Sequence, residues 1–187
     1  MKKFLYSLII LCLPMIASAQ YFELTPTGFV SASDNSKKYI VLDFPGYSQQ
    51  QLFDKIAAYL QTNPTYDVAL MPEEGRILIS GSTQIEALAG VFKRLYTTKY
   101  MIGLRFKDDR LRIDGPVVEE MVSKDGIKLY TSLPQDGVDA YFVFAKDKKI
   151  KNAAGKDNLE TFFNAFANNV IGAIKASDGN QDDDDDW

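Results

Sequence analysis

Two rhythms of apolar and polar positions run along this chain, one of period two and one near 3.6, and turn residues separate them. Lys38 to Phe44 is β-branched and aromatic and stops at Pro45-Gly46, which predicts a strand. Leu52, Phe53, Ile56, Tyr59 and Leu60 then recur at helical spacing. Ser48 with Gln51 has the spacing of a capping box and Tyr47 with Leu52 that of a hydrophobic staple, so a helix is expected over Ser48 to Thr62, stopped by Asn63-Pro64. Tyr66 to Met71 and Arg76 to Ser82 flank Pro72-Glu73-Glu74-Gly75 and read as a hairpin. Thr83 to Tyr96 is read as a second helix, because Thr83 and Glu86 have capping-box spacing ahead of Ile85, Leu88, Ala89, Phe92 and Leu95, although Gly90 and Val91 weaken it.

Tyr100 to Phe106 and Leu111 to Ile113 surround Lys107-Asp108-Asp109-Arg110, a further hairpin. Alternation sends Tyr100, Ile102, Leu104 and Phe106 to one face and Arg105, Lys107, Arg110 and Arg112 to the other, one dry and one wet. Ile127 to Thr131 and Tyr141 to Ala145 are shorter strand candidates, and Pro116 to Lys156 as a whole has no assigned place. The longest helical stripe comes last. Leu159, Phe162, Phe163, Phe166, Val170 and Ile174 predict a helix over Asn158 to Lys175, with Asp157 and Glu160 as its capping box and the phenylalanines turned to a sheet.

The two ends of the chain change the picture more than its middle. Lys2 and Lys3, the apolar run Phe4 to Ile16 and the small residues Ala17-Ser18-Ala19 form the three-part pattern of a secretory signal, with the mature chain expected to start at Gln20. The run is too short to span a bilayer, and no integral membrane span is expected. The aspartate run Asp182 to Asp186, preceded by Gly179 and Asn180, reads as a disordered acidic tail over 177–187. Between the two ends, residues 20–176 read as one domain of the α+β class, an antiparallel sheet covered on one face by helices. Such a protein would be exported, periplasmic or extracellular.

Export removes Cys12, the only cysteine of the chain, and there is no histidine. A Ser-His-Asp or Cys-His nucleophile cannot be assembled, zinc would have carboxylate ligands only, and neither a metal nor a cofactor is expected. Loss of Lys2 and Lys3 takes the 21 basic residues to 19 against 25 acidic ones, a net charge of −6, of which the run Asp182 to Asp186 carries five. Nucleic acid is therefore not an expected partner. Asp178, Asn180 and Asp182 resemble the start of a calcium loop, but Asp183 occupies its glycine position.

Several stretches together resemble an uncharacterised family of exported Bacteroides-group proteins. They are the strand Tyr39 to Phe44 followed by Ser48-Gln49-Gln50-Gln51-Leu52-Phe53, the hairpin Glu73-Glu74-Gly75 with Ile77-Leu78-Ile79-Ser80-Gly81, and Leu104 to Arg112. The resemblance implies a TATA-binding-protein-like fold, a curved antiparallel sheet with helices packed on one face. It implies no activity.

The residues themselves point to surface chemistry. Arg105, Lys107, Arg110 and Arg112, joined by Lys99 and Arg76, form the candidate binding face, since guanidinium groups on rigid strands suit carboxylates or sulfated glycans. Asp108, Asp109 and Asp114 stand nearby as neutralising charges. The expected function is a non-enzymatic binding or accessory module of the cell envelope, meeting a protein or glycan. The alternatives are a carboxylate-dependent polysaccharide hydrolase, drawing on Glu73-Glu74, Asp108-Asp109 or Glu119-Glu120, or a hydrolase inhibitor with a rigid loop near Pro134. The sheet face away from the helices bears on this choice: a concave, aromatic and unobstructed face favours ligand binding, whereas a face covered by Pro116 to Lys156 leaves the basic patch and the edge strands as contact sites.

Overall fold

The computed structural model describes residues 20–138 and 140–176. The expected signal peptide and acidic tail lie outside the described residues. The element order is β1 (Phe22–Thr25), β2 (Gly28–Ser31), β3 (Tyr39–Asp43), α1 (Gln49–Gln61), β4 (Tyr66–Met71), a 3-10 turn (Pro72–Glu74), β5 (Arg76–Ala89), β6 (Phe92–Lys107), β7 (Arg110–Asp114), β8 (Val117–Ser123), β9 (Leu129–Tyr130), β10 (Tyr141–Phe142) and α2 (Ala153–Ala176). The main sheet is antiparallel in the order β3-β7-β6-β5-β4, with β8 also paired to β6.

Helix α1 begins as its sequence requires. Ser48 Oγ accepts from the Gln51 amide and Gln51 Oε1 accepts from the Ser48 amide, the reciprocal pair that satisfies two orphan donors. Leu52, Phe53, Ile56 and Leu60 are buried beneath the sheet. Helix α2 starts five residues before the expected Asn158. Asn152 is its cap, accepting from the Gly155 amide at 3.0 Å, whereas Glu160 bonds the Leu24 amide at 2.6 Å instead of closing a box with Asp157. Leu159, Phe163, Phe166, Val170 and Ile174 are buried, so the predicted stripe does face the core.

Thr83 to Tyr96 is not a helix, which corrects the expectation above. These residues complete β5 and open β6, paired in register from Arg76↔Arg105 to Ala89↔Phe92 around the two-residue turn Gly90-Val91. Gly90 supplies φ +64°, the positive φ that such a tight turn demands. Ile85, Ala87 and Ala89 are buried while Gln84 is exposed, so period two was present under the capping-box coincidence. Tertiary contact decides the matter: Ala87 is small enough for α2 to approach, and a Cβ on Gly155 would lie 3.0 Å from the Ala87 Cβ. The free edge of β5 is closed by the same helix. Asn158 Nδ2 donates to the Glu86 carbonyl at 2.8 Å and Asn152 Nδ2 to the Leu88 carbonyl at 2.8 Å, which blocks further strand addition there.

The polar lead-in Gln20 to Ser36 also holds structure, the hairpin β1–β2, with Phe22, Leu24 and Phe29 in the core. From Pro116 to Lys156 the chain first extends the sheet through β8. It then packs Leu129, Val143 and Phe144 into the core among residues of α2 and the inner sheet face. It leaves the other face bare. No helix among the described residues is long and apolar enough to cross a membrane.

Candidate functional site

Register assembles the bare face. Val41 pairs with Arg112, Arg112 with Arg105, Arg105 with Arg76, and Arg76 with Met71, one row across five strands. One step toward the strand ends, Asp43 pairs with Arg110 and Arg110 with Lys107. Leu111, Ile113, Leu104, Phe106 and Ile77 alternate with these positions and are buried on the helix side. Neighbouring strands lie roughly 4.8 Å apart, so three arginines share about 10 Å of sheet width.

Like charges directly opposite one another cost stability, and one acid offsets that cost. Asp114 Oδ1 accepts from Arg112 Nε at 2.7 Å and its Oδ2 accepts from Arg105 Nε at 3.3 Å. Gly103 makes the room, because a Cβ there would lie 2.8 Å from Asp114 Oδ2. Tyr39 supports Arg112 from the other side, its ring centroid 3.8 Å from Cζ, a cation–π contact. Both bonds to Asp114 leave from Nε and so do not use the terminal nitrogens of Arg105 or Arg112.

The remaining cations are less engaged. Arg110 Nε stands 3.6 Å from an exposed Asp43 carboxylate, and Lys107 is exposed with no ion pair among the described residues. Arg76, at the β4 side of the row, has a buried Nε with no hydrogen-bond partner among the described residues. Five cations thus stand against Asp43 and Asp114. The expected set Arg105, Lys107, Arg110 and Arg112 is brought together, and Arg76 belongs with it. Lys99 does not: it is six residues along β6 from Arg105 and pairs with Glu120 at 3.2 Å.

Asp108 and Asp109 are turned away from the row, contrary to the neutralising role expected for them. Asp108 Oδ1 accepts from the Gln49 amide at 2.8 Å at the start of α1, where a helix dipole favours a carboxylate. Asp109 Oδ1 accepts from the Gly46 amide at 2.7 Å. Both therefore hold backbone. Among the described residues no three His, Cys, Asp or Glu side chains cluster as a metal site would require.

Beneath the same sheet, burial pushes the Tyr100 hydroxyl up to about 12, with Tyr66 adding to the effect. The fold favours the neutral phenol, so this contribution is complete below the ordinary tyrosine value near 10 and is lost as pH climbs toward about 12. Urea midpoints are expected to fall across that alkaline window, less steeply in Tyr100→Phe. An equal slope in the variant would reject the assignment.

Two helices on one side of a mostly antiparallel sheet whose other side is bare define a protein of the TATA-binding-protein-like fold. A solved structure agrees. A TBP-like protein from Parabacteroides distasonis superposes with TM-score 0.54 at 16% identity, over 73% of this chain and 90% of its own. A DUF4468 family protein from Bacteroides ovatus gives TM-score 0.49 at 16% identity, over 78% and 86% respectively. At that identity the likeness concerns the fold alone. No family model and no curated protein matches the chain.

Proposed function

We propose that this protein is an exported, non-enzymatic binding module of the cell envelope that takes an acidic glycan on its bare sheet face. One observation carries the reading: Arg76, Arg105 and Arg112 stand side by side on three adjacent strands, with a single carboxylate, Asp114, between two of them. Strands hold guanidinium groups at a fixed pitch, and each unpaired terminal nitrogen pair can grip a carboxylate or sulfate by two parallel bonds. A sheet face with one aromatic among the described residues, Tyr39, suits a chain lying across it rather than a small molecule swallowed by it.

The test uses polygalacturonate and heparin as carboxylate and sulfate probes, titrated calorimetrically at low salt. Arg105→Ala with Arg110→Ala is expected to weaken binding about tenfold or more, since bonds to charged groups are each worth roughly 1.5–3 kcal/mol. These side chains are exposed and their ion pairs weak, so the melting temperature should move by less than about 4 °C. Arg112 is unsuited to this variant because it also packs on Tyr39. Absence of binding by the unaltered protein, equal binding by the variant, or equally tight binding of duplex DNA would defeat the glycan reading.

A further inference from the structure

Strand β4 is an edge whose backbone and side chains are complementary to themselves. We infer that two copies of this chain join there, β4 against β4 in antiparallel pairing about a two-fold axis at Ala69, so that one sheet runs through both. The inference is independent of what the basic face binds.

Hydrogen-bond alternation fixes which backbone groups the edge presents. Phe106 donates its amide to the Gly75 carbonyl at 2.8 Å, so in β5 the odd-numbered residues from Ile77 onward bond to β6 and the even-numbered ones turn the other way. The Glu86 and Leu88 carbonyls, which accept from α2, follow that alternation. Arg76, Leu78 and Ser80 therefore bond to Met71, Ala69 and Asp67, their partners in register. Val68 and Leu70 are left with amide and carbonyl pointing out of the sheet, with no partner there among the described residues.

The register follows from where the donors end. A two-fold at Ala69 sets Val68 opposite the partner's Leu70 and Leu70 opposite the partner's Val68, reciprocal pairs that use every outward amide and carbonyl of both copies. The next position sets Tyr66 opposite the partner's Pro72. Neither has an amide to give, because Tyr66 N–H donates to the Asn63 carbonyl at 3.3 Å and proline has none. On the bare face Asp67 stands opposite the partner's Met71 rather than its own copy, so no like charges meet. The partner's Asp67 thereby extends the row of Arg105, Arg76 and Met71 with an acid.

Helix α1 leaves the edge open. It lies against β4, β5 and β6, its Phe53 ring meets Phe106 of β6 with centroids 5.5 Å apart, and Leu70 is still 36% exposed although it points to the helix side. Other edges are guarded: α2 closes the far half of β5, and Ser33, Asp34 and Lys37 share a groove with Tyr39 and Val41 along β3. Strand β4 has no lysine, proline or bulge, the devices that ordinarily keep an edge from pairing.

The chain from Gln20 onward has no cysteine, so an introduced one reports contact directly. Ala69→Cys is expected to form an intermolecular disulfide under mild oxidation, because residues opposite one another in a non-hydrogen-bonded pair have Cα atoms about 4.5 Å apart. Asp67→Cys, offset from its own copy by about 13 Å along the strands, should not. Sedimentation of the unaltered chain at up to about 500 µM should show a monomer–dimer equilibrium, since a single pair of strands is a small interface. Ala69→Lys sets two ammonium groups face to face and should be monomeric throughout, its melting temperature at high dilution within about 4 °C of the original. Val68→Pro removes an outward amide without touching the bonds to β5 and should act alike. A monomer at every concentration, equal cross-linking of the two cysteine variants, or an undiminished Ala69→Lys dimer would overturn the inference. A monomer whose Val68 and Leu70 amides gain exchange protection only when an extended peptide is added would give the edge to a foreign strand and overturn the second copy.

Discussion

Phe163→Ala is expected to be the most damaging single substitution, lowering stability by about 4 kcal/mol, within the range for removing a fully buried phenylalanine. Phe163 is 0% exposed, and its ring meets Phe29 at 4.9 Å, Phe162 at 5.0 Å and Tyr100 at 5.3 Å, all edge-on. Those partners belong to β2, α2 and β6, so one side chain joins the N-terminal hairpin, the long helix and the central strand of the sheet. Three elements bound to one ring cannot collapse together into the space it leaves. The melting temperature should fall by about 8–16 °C, and urea denaturation should shift its midpoint without a change in slope. A loss below about 1 kcal/mol would mean the hairpin is free to close over the cavity, and this account of the core would be wrong.

Asn164→Ala acts one residue away by another mechanism. The side chain accepts from the Tyr21 amide at 2.7 Å and the Phe22 amide at 2.8 Å, and donates to the Phe22 carbonyl at 3.1 Å. Truncation leaves three backbone groups without partners, two of them belonging to a buried residue, and the expected loss is about 3 kcal/mol. Neighbouring Glu160 holds Leu24 through its amide and pairs with Lys156 at 2.5 Å, so the first strand hangs on polar side chains of α2 as well as on β2. Hydrogen exchange should therefore rise over residues 21–31 while β5 and β6 keep their protection. Uniform loosening of the whole molecule, or none, would refute this local clamp.

That clamp explains why the N-terminal hairpin was not legible in the sequence. Gln20 to Ser36 has few apolar residues and many turn formers, and what makes Phe22 to Thr25 a strand is an asparagine and a glutamate more than 130 positions away. Thr83 to Tyr96 failed for the opposite reason. A local motif, Thr83 with Glu86, outweighed the alternation of Ile85, Ala87 and Ala89, although Gly90-Val91 was a tight-turn signal in plain view. Helix α1 succeeded because every signal it needs, cap, staple and stop, lies within twenty residues of its centre.

The candidate site divides along the same line. Period two alone sent Arg105 and Lys107 to the face opposite Leu104 and Phe106, and Arg110 and Arg112 to the face opposite Leu111 and Ile113, as the structure has them. Arg76 could have been added with more weight, since it begins the strand that starts after Gly75. Nothing local indicates that Asp114 is the shared acid, that Gly103 vacates the space for it, or that Asp108 and Asp109 hold the backbone amides of Gln49 and Gly46.

By itself the sequence determined the α+β class, both helices, the outward placement of the basic side chains and the lack of histidine in any site, because each follows from residue type or from spacing within one element. Only the tertiary structure decided that three arginines stand in one row, that Lys99 is not among them, and that the chain after Pro116 leaves their face open. Those are matters of register between strands and of packing between distant segments, and no periodicity within a single strand carries the offset at which it meets its neighbour.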